Sequence, residues 1–468
     1  MAQNFVGADR DQVFLLPPSL RDWLPKDHLA WWVIDAVAEM DLSAFYARYR
    51  SDGHGRPAYD PAVLVAVLLY AYAVGERSAR RIEKRCVEDV AFRVLAGNLA
   101  PDHVTICRFR QQHQDAIAGL FGQVLRLCAK AGMVSVGTIA VDGTRIAANA
   151  SRDATVVYEQ LARTILEEAA EVDAAEDERF GDRRGDELPE KLTDEYGRRA
   201  WLREAVRELE REREQAGEPV KRDRGPRLRE AKRRMDEELW AQQQANDAYE
   251  AWRARGISAD GSRRMAPGTL KPFVMPTRPE GTINLTDPDS RVVPTRRGFM
   301  QGYTAQAVTT EGQVVIAAEV ICGGNERNTL QGLVEVTERE LDQAGANDPV
   351  TVTLADAGFW NTEQIQTLTG RGIRTLVAPD NRRRKTPGKT RVKQQHYIEM
   401  REVLDTDEGR ALYKKRKSMI EPVFGQVKHN RRIDRFTRRG LAACRAEWRL
   451  VMATHNLLKL HTHQVRPA

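Results

Sequence analysis

The chain has little that would tie it to an oxidising compartment or to a membrane. Five of its 468 residues are cysteine: Cys86, Cys107, Cys128, Cys322 and Cys444. The number is odd and no two stand as C-x-x-C, which argues against a disulfide framework and predicts buried, reduced thiols in a cytosolic protein. The nine histidines show no zinc spacing, and His461 and His463 read as residues of a tail. The opening stretch MAQNFVGADRDQVFLLPPSL contains acids and has no apolar run of signal-peptide length. The longest apolar run, Ala62 to Gly75, falls short of the roughly 20 residues a membrane span needs. These absences predict a cytoplasmic chain with no membrane partner. Net charge is also small, at +6.

That charge is unevenly spread. From Arg371 to Arg449 there are 23 Lys or Arg against 9 Asp or Glu. A basic block of this kind suits a polyanion partner, or else forms a solvated helix surface. The apolar fraction, 41%, is enough for real cores, and the length fits two to four domains at roughly 100–200 residues each.

The first quarter reads as helices. Asp60 and Pro61 make an N-cap and first-turn pair before AVLVAVLLYAYAVG. RSARRIEKRCVEDVAFRVLAG follows and stops at Gly97; PDHVTICRFRQQHQDAIAGLFGQVLRLCAKAG stops at Gly132. Ser78, Arg80, Arg81, Arg108 and Arg110 lie near the turns, as in a helix-turn-helix DNA reader, and a plain helical bundle fits equally well. The period then changes. VGTIAVDGTRIAANAS is strand-like and reaches an acid, Asp142, followed by Gly143. From about Ala154 to Gly256 the chain is rich in Glu, Arg, Ala and Leu, which predicts a helical hairpin or coiled coil. Prolines recur from Ile257 to Arg297 and mark an extended link. A hairpin is expected across TEGQ in GFMQGYTAQAVTTEGQVVIAAEVICGG. A helix over Thr329 to Ala344 comes next, then the strand VTVTLA ending on Asp356, a short helix from about Asn361, and the strand GIRTLVAP. The basic loop DNRRRKTPGKTRVK, with Arg382, Arg383 and Arg384, leads into C-terminal helices. This order is mixed α/β.

Two acids, Asp142 and Asp356, thus sit at strand ends and precede a Gly. A lone buried carboxylate is costly, so each is in water, paired, or holding a metal. A third acid, Glu421, stands among Lys414, Lys415, Arg416, Lys417, Lys428, Arg431 and Arg432, where it is a salt-bridge partner or a ligand. Two strand-tip Asp and a helical Glu form an oxygen set suited to Mg²⁺, and a pair of such ions serves phosphodiester chemistry. Gly143 and Gly358 permit close approach of a phosphate or are ordinary strand-end turns. Pro422 disfavours the helical conformation at Glu421, which predicts that Glu421 starts or kinks a helix.

Nearly the whole chain resembles the DDE transposases of bacterial insertion sequences. LPKDHLAWWVIDAV, LLYAYAVGERSARRIE and PDHVTICRFRQQH are similar to the helical N-terminal domain of that family. VDGTRIAANAS and LADAGFW resemble its two Asp segments, NLTDPDSR and QGYTAQAV its link and second strand, KKRKSMIEPVFGQVK its Glu segment, and RRGLAACRAEWRLVMATHNLLKL its closing helix. The resemblance implies an α/β fold: a ribonuclease-H-like catalytic domain of mixed sheet, an all-α N-terminal domain and a helical insertion. The implied layout is 1–133 for DNA binding, 134–153 and 281–468 for catalysis, and 154–280 for insertion and link. It implies Asp142, Asp356 and Glu421 as catalytic, metal-holding acids, with Mg²⁺ or Mn²⁺. It implies DNA contacts by Tyr413, Arg416, Lys417 and Lys428. The family signature has a Tyr and an Arg before its Glu and a Lys after it; Arg416 lies one position early and Lys417 sits where related groups have Arg. Arg382, Arg383 and Arg384 join the DNA contacts through their basic loop. Glu326, in GGNERNTL, stands where relatives often have an acid and reads as a helix-start residue.

The implied protein binds the terminal inverted repeats of its element as a homodimer on double-stranded DNA in the bacterial cytosol, cleaves, and joins the freed 3′-hydroxyl to target DNA. A ribonuclease-H-like nuclease without strand transfer is the first rival, separated by a joining assay. A DNA-binding protein with a decayed catalytic domain is the second; the presence of all three acids argues against it.

Overall fold

The computed structural model describes residues 19–49, 57–167, 224–255, 281–295, 298–346, 348–379 and 395–465. These fall in two units, Met1–Asn149 with Val292–Ala468, and Ala150–Arg291.

Among the described residues the larger unit opens with seven α-helices: α1 (Leu29–Ala38), α2 (Ser43–Tyr46), α3 (Pro61–Ala73), α4 (Ala79–Glu88), α5 (Val90–Leu95), α6 (His103–Gln112) and α7 (Gln114–Lys130). Asp60 caps α3 by accepting from Ala62 N. Its residues from Leu64 to Ala73 are buried on every side, as a helix apolar all round must be. The stretch from Arg77 to Gly97 is not one helix. Asp89 accepts from Ala91 N and Phe92 N, so it caps α5 and ends α4. Gly97 (φ +59°) and Gly132 (φ +69°) take left-handed conformations at their stops. Arg110, a candidate DNA contact by sequence, is buried and donates to Tyr72 Oη and Arg77 O; it is part of the core.

The sheet holds β1 (Thr138–Ala147), β4 (Arg291–Thr295), β5 (Gly298–Thr310), β6 (Val315–Cys322), β7 (Val352–Ala355) and β8 (Arg374–Val377). Its path is β4-β5-β1-β7-β8, with β6 also on β5. β5 runs antiparallel to β1 and β6, whereas β1, β7 and β8 are parallel. Read from β6 the order is third, second, first, fourth, fifth, the ribonuclease-H-like mixed sheet. Gln301 to Thr310 are all buried, as a strand covered on both faces requires. α9 (Leu330–Ala344) packs on β6 and α7, and α10 (Thr362–Gly370), capped by Asn361, packs on β8. α11 (Gln395–Asp405) and α12 (Asp407–Gly425) follow, and α12 lies across β1, β5 and β7. α13 (Leu441–Val465) packs against α7, α3 and β6.

Three expectations change. β1 does not end at Asp142; it continues to Ala147 because β5 keeps pairing with it. Glu421 is not at a helix start, since α12 runs through Pro422. The carbonyl that Pro422 leaves without an amide partner, Ser418 O, accepts from Gln313 Nε2 at 2.8 Å. Gln313 sits at the β5–β6 turn with φ +61°. Finally, Cys107 and Cys322 are exposed, whereas Cys86, Cys128 and Cys444 are buried as expected. Burial pushes the Cys86 thiol up to about 11 and that of Cys128 to about 12.

The smaller unit pairs β2 (Thr155–Val157) with β3 (Thr282–Asn284) and holds the long helix α8 (Arg224–Arg255). Leu161, Leu228, Ala231, Met235 and Ile283 form its core. Residues 155–157 are strand where helix was expected. Residues 168–223 and 256–280 lie outside the described residues. Among the described residues no helix is long and apolar enough to cross a membrane.

Candidate active site

The register of β1 and β7 brings two acids together. Val141 pairs with Ala355 in parallel register, so Asp142 and Asp356 each stand one step beyond the last pair, on the edge that carries the carboxyl ends of β7 and β8. Asp142 Oδ1 accepts from Gly143 N at 2.7 Å and Oδ2 from Arg416 Nη1 at 2.7 Å. Burial, and then the charge of Asp356, push the Asp142 carboxyl up to about 6 against the pull of Arg416. Asp356 Oδ1 accepts from Gly358 N at 2.8 Å, closing a short 3₁₀ turn.

A third acid at this edge is Glu326, in the loop between β6 and α9. Its side chain is buried; Oε2 pairs with Arg145 Nη2 at 3.2 Å, and Oε1 has no partner. Burial pushes this carboxyl up to about 7; Arg145 lowers it, and Asp356 and Asp142 raise it. Gly143 makes the approach possible, because a Cβ there would lie 1.7 Å from Glu326 Oε1. A Cβ on Gly358 would lie 2.9 Å from Asp356 Oδ1 and 3.6 Å from Glu326 Oε2. Neither glycine has a positive φ. Both are needed for room rather than for a turn. The sequence alone presents Glu326 as a helix-start residue. The signal available there is the pair of glycines, each directly or nearly after an Asp.

α12 and the π-helical turn that follows it (Gln426–Asn430) supply the basic side chains. Arg416 reaches Asp142 and lies over the Tyr413 ring, 5.9 Å from its centre. Tyr413 Oη donates to Ala355 O at 3.1 Å, directly before Asp356. Lys428 Nζ donates to Thr144 Oγ1 at 3.0 Å and Arg145 O at 2.9 Å, and burial holds its ammonium below the ordinary range. Lys417 is exposed, so Arg416 rather than Lys417 is the one brought to the Asp pair. Glu421 is exposed on α12, about 7.5 Å along the axis from Arg416. It makes no hydrogen bond or ion pair among the described residues. Arg382, Arg383 and Arg384 lie outside them.

Among the described residues no three acidic, imidazole or thiol groups are placed to grip one ion as the side chains stand. Glu421 is therefore not gathered with the two Asp in this conformation. The donors at the edge nevertheless fit a hard divalent cation. They are carboxylate oxygens, burial and neighbouring negative charge raise Asp142 and Glu326, and one buried oxygen is without a partner.

Two family models match the chain. One described as Transposase domain (DUF772) covers residues 18–112, and one described as Transposase DDE domain covers 378–461, which includes all of α12. No curated protein and no solved structure matches. DNA is the partner of this family and a divalent metal its general cofactor. A transposase domain match in its first helices, a transposase DDE domain match at its far end and a ribonuclease-H-like sheet between support a DDE transposase of an insertion sequence.

Proposed function

We propose that this transposase binds the terminal inverted repeats of its element as a homodimer and carries out both DNA cleavage and strand transfer. The observation that carries the reading is the register of Asp142 and Asp356, with Arg416 seated on Asp142. Asp142 and Asp356 hold the metal from the sheet. Glu421 joins them from α12 once DNA fills the gap between. The chemistry that a bound Mg²⁺ or Mn²⁺ supplies there is activation of the attacking oxygen and stabilisation of the leaving one. Arg416 passes from Asp142 to a phosphate oxygen, and Lys417 and Lys428 take further phosphates. Tyr413 keeps the end of β7 fixed while Arg416 moves.

Residues 1–133 carry end recognition in this reading, and 134–153 with 281–468 the chemistry. Support for a DNA track in the larger unit comes from a cleft of about 760 Å³ whose lining includes Arg77, Arg435, Arg438 and Arg439. Buried Glu447 fixes its floor by accepting from Thr437 N and Arg438 N, while Arg435 and Arg439 stay exposed to meet a phosphate backbone.

The test is a labelled terminal-repeat duplex incubated with Mg²⁺ and target DNA. Wild type is expected to release the end and join it, and Asp356→Asn to bind the duplex but do neither. Cleavage without joining would leave a nuclease, and full activity in Asp356→Asn would remove the site.

A further inference from the structure

We propose that the exposed face of α6, which bears Val104, Cys107, Arg108 and Gln111, is the base-reading surface of this protein and enters the major groove of double-stranded DNA. The inference rests on the reading that the first helices recognise the ends of the element. It deepens that reading by separating the residues that read sequence from those that hold phosphate. The basic and polar residues that suggested a helix-turn-helix part company in the structure. Ser78 caps α4 by accepting from Arg81 N at 3.4 Å. The Arg81 and Arg85 side chains lie 3.2 and 3.9 Å from buried Glu76, and Lys84 pairs with Glu88. α4 thus ties most of its cations to nearby acids. Arg110 is in the core. Arg80, in the first turn of α4, and Arg108, on α6, are exposed and make no hydrogen bond or ion pair among the described residues. Gln111 is exposed and unbonded among them in the same way. Of the two helices, α6 is the one with a free polar face along its length.

The spacing makes that face one stripe. Val104, Arg108 and Gln111 stand at i, i+4 and i+7, with Cys107 beside them. From Val104 to Gln111 the stripe is about 10 Å long, the rise of about three base pairs. The opposite face is fixed. Ile106 and Phe109 are buried, Phe109 stacks on Phe45 with 5.6 Å between ring centres, and Arg110 donates to Tyr72 Oη and Arg77 O. The start of the helix is fixed as well: Asp102 caps it, and Glu83 of α4 accepts from His103 N at 3.1 Å. A helix pinned in this way holds its exposed side chains in register with a groove. Their chemistry matches the groove too. Arg pairs with the guanine edge, Gln with the adenine edge, and an apolar side chain such as Val104 meets a thymine methyl. Cys107 and Gln111 line the same cleft as Arg435 and Arg439. A duplex whose backbone lies on those arginines therefore presents its groove to α6.

The experiment measures binding of the full chain, by fluorescence anisotropy at fixed salt, to a duplex of the element's terminal repeat and to a scrambled duplex of the same length and composition. Arg108→Ala with Gln111→Ala is expected to lower the preference for the terminal repeat by about tenfold or more while changing affinity for the scrambled duplex little. Arg435→Glu with Arg439→Glu is expected to weaken binding to both duplexes alike, as loss of phosphate contacts does. Gln111→Glu decides the question if the double Ala variant does not fold. In sequences selected by the full chain from a random pool, it is expected to exchange an adenine for a cytosine at one position, since a carboxylate accepts from the cytosine amino group. An unchanged preference in the double Ala variant, or in its place an unchanged selected sequence with Gln111→Glu, overturns the role of α6 and leaves end recognition standing. If the wild-type chain binds both duplexes equally, end recognition itself fails, and the role of α6 with it.

Discussion

Replacing Asp142 by Asn should change how the stability of the metal-free protein depends on pH. In the folded chain this carboxyl titrates at about 6, against an ordinary 3.8. Between those values the native state keeps a proton that the unfolded chain has released. The unfolded state then binds fewer protons, so stability falls as pH rises. A gap of about two pH units at about 1.36 kcal/mol each amounts to about 3 kcal/mol. That cost is absent below about pH 4, where both states are protonated, and fully present above about pH 6. Urea unfolding in EDTA from pH 4 to pH 8 reads it directly. Wild type should lose about 3 kcal/mol more across that range than Asp142→Asn. The slope carries the test, because the variant also takes the counter-ion from Arg416, a loss with little dependence on pH over this range. Glu326 has the same sign, with its window from its ordinary 4.5 to about 7. Saturating Mn²⁺ should flatten the wild-type curve, since a cation offsets the burial and the repulsion that raise both groups. Parallel curves for wild type and Asp142→Asn would refute the claim that the site is electrostatically loaded.

Three further outcomes are expected. Glu421→Gln should reduce cleavage and joining by about a hundredfold or more while leaving duplex binding intact in a gel-shift assay, since metal and electrostatic terms carry most of the barrier lowering; strand transfer at the wild-type rate would make Glu421 a surface acid. Arg435→Glu with Arg439→Glu should weaken DNA binding and lower the slope of log affinity against log salt by roughly 0.9 for each phosphate no longer neutralised; an unchanged slope would take DNA out of that cleft. His455 is held at about 3 by burial first and Arg431 second, so it stabilises fully above its ordinary 6.5 and loses that contribution as pH falls towards 3. Substituting Gln should flatten the acid limb of a thermal-unfolding profile, opposite in sign to the Asp142 effect, and an unaltered limb would refute it.

Much of the sheet is legible in the sequence because its signals are local. The β-branched run before Asp356, the TEGQ turn, and the Asp60–Pro61 and Asn361 starts each depend on a few neighbouring residues. What is not legible depends on partners far along the chain. β1 outlasts Asp142 because β5, some 160 residues later, continues the ladder. Pro422 sits inside a helix because Gln313 satisfies the carbonyl it frees. Glu326 looks like any acid before a helix, since nothing in GGNERNTL says that Gly143 leaves it room. Arg110 has the composition of a phosphate contact and the surroundings of a core residue.

Gln313 has a practical consequence for anyone altering this protein. Exposed hairpin tips are ordinarily good places for a tag, a reporter or a grafted domain. The tip between β5 and β6 looks like one, with Glu311 and Gly312 exposed. Yet Gln313 Nε2 holds Ser418 O of α12, its own carbonyl meets His455 Nε2, and its Oε1 meets Lys459 Nζ. An insertion there would pull on two helices at once, one of which bears Tyr413, Arg416 and Glu421. Fusions placed at that turn should yield protein that folds but handles DNA poorly, and screens that score only expression would pass them.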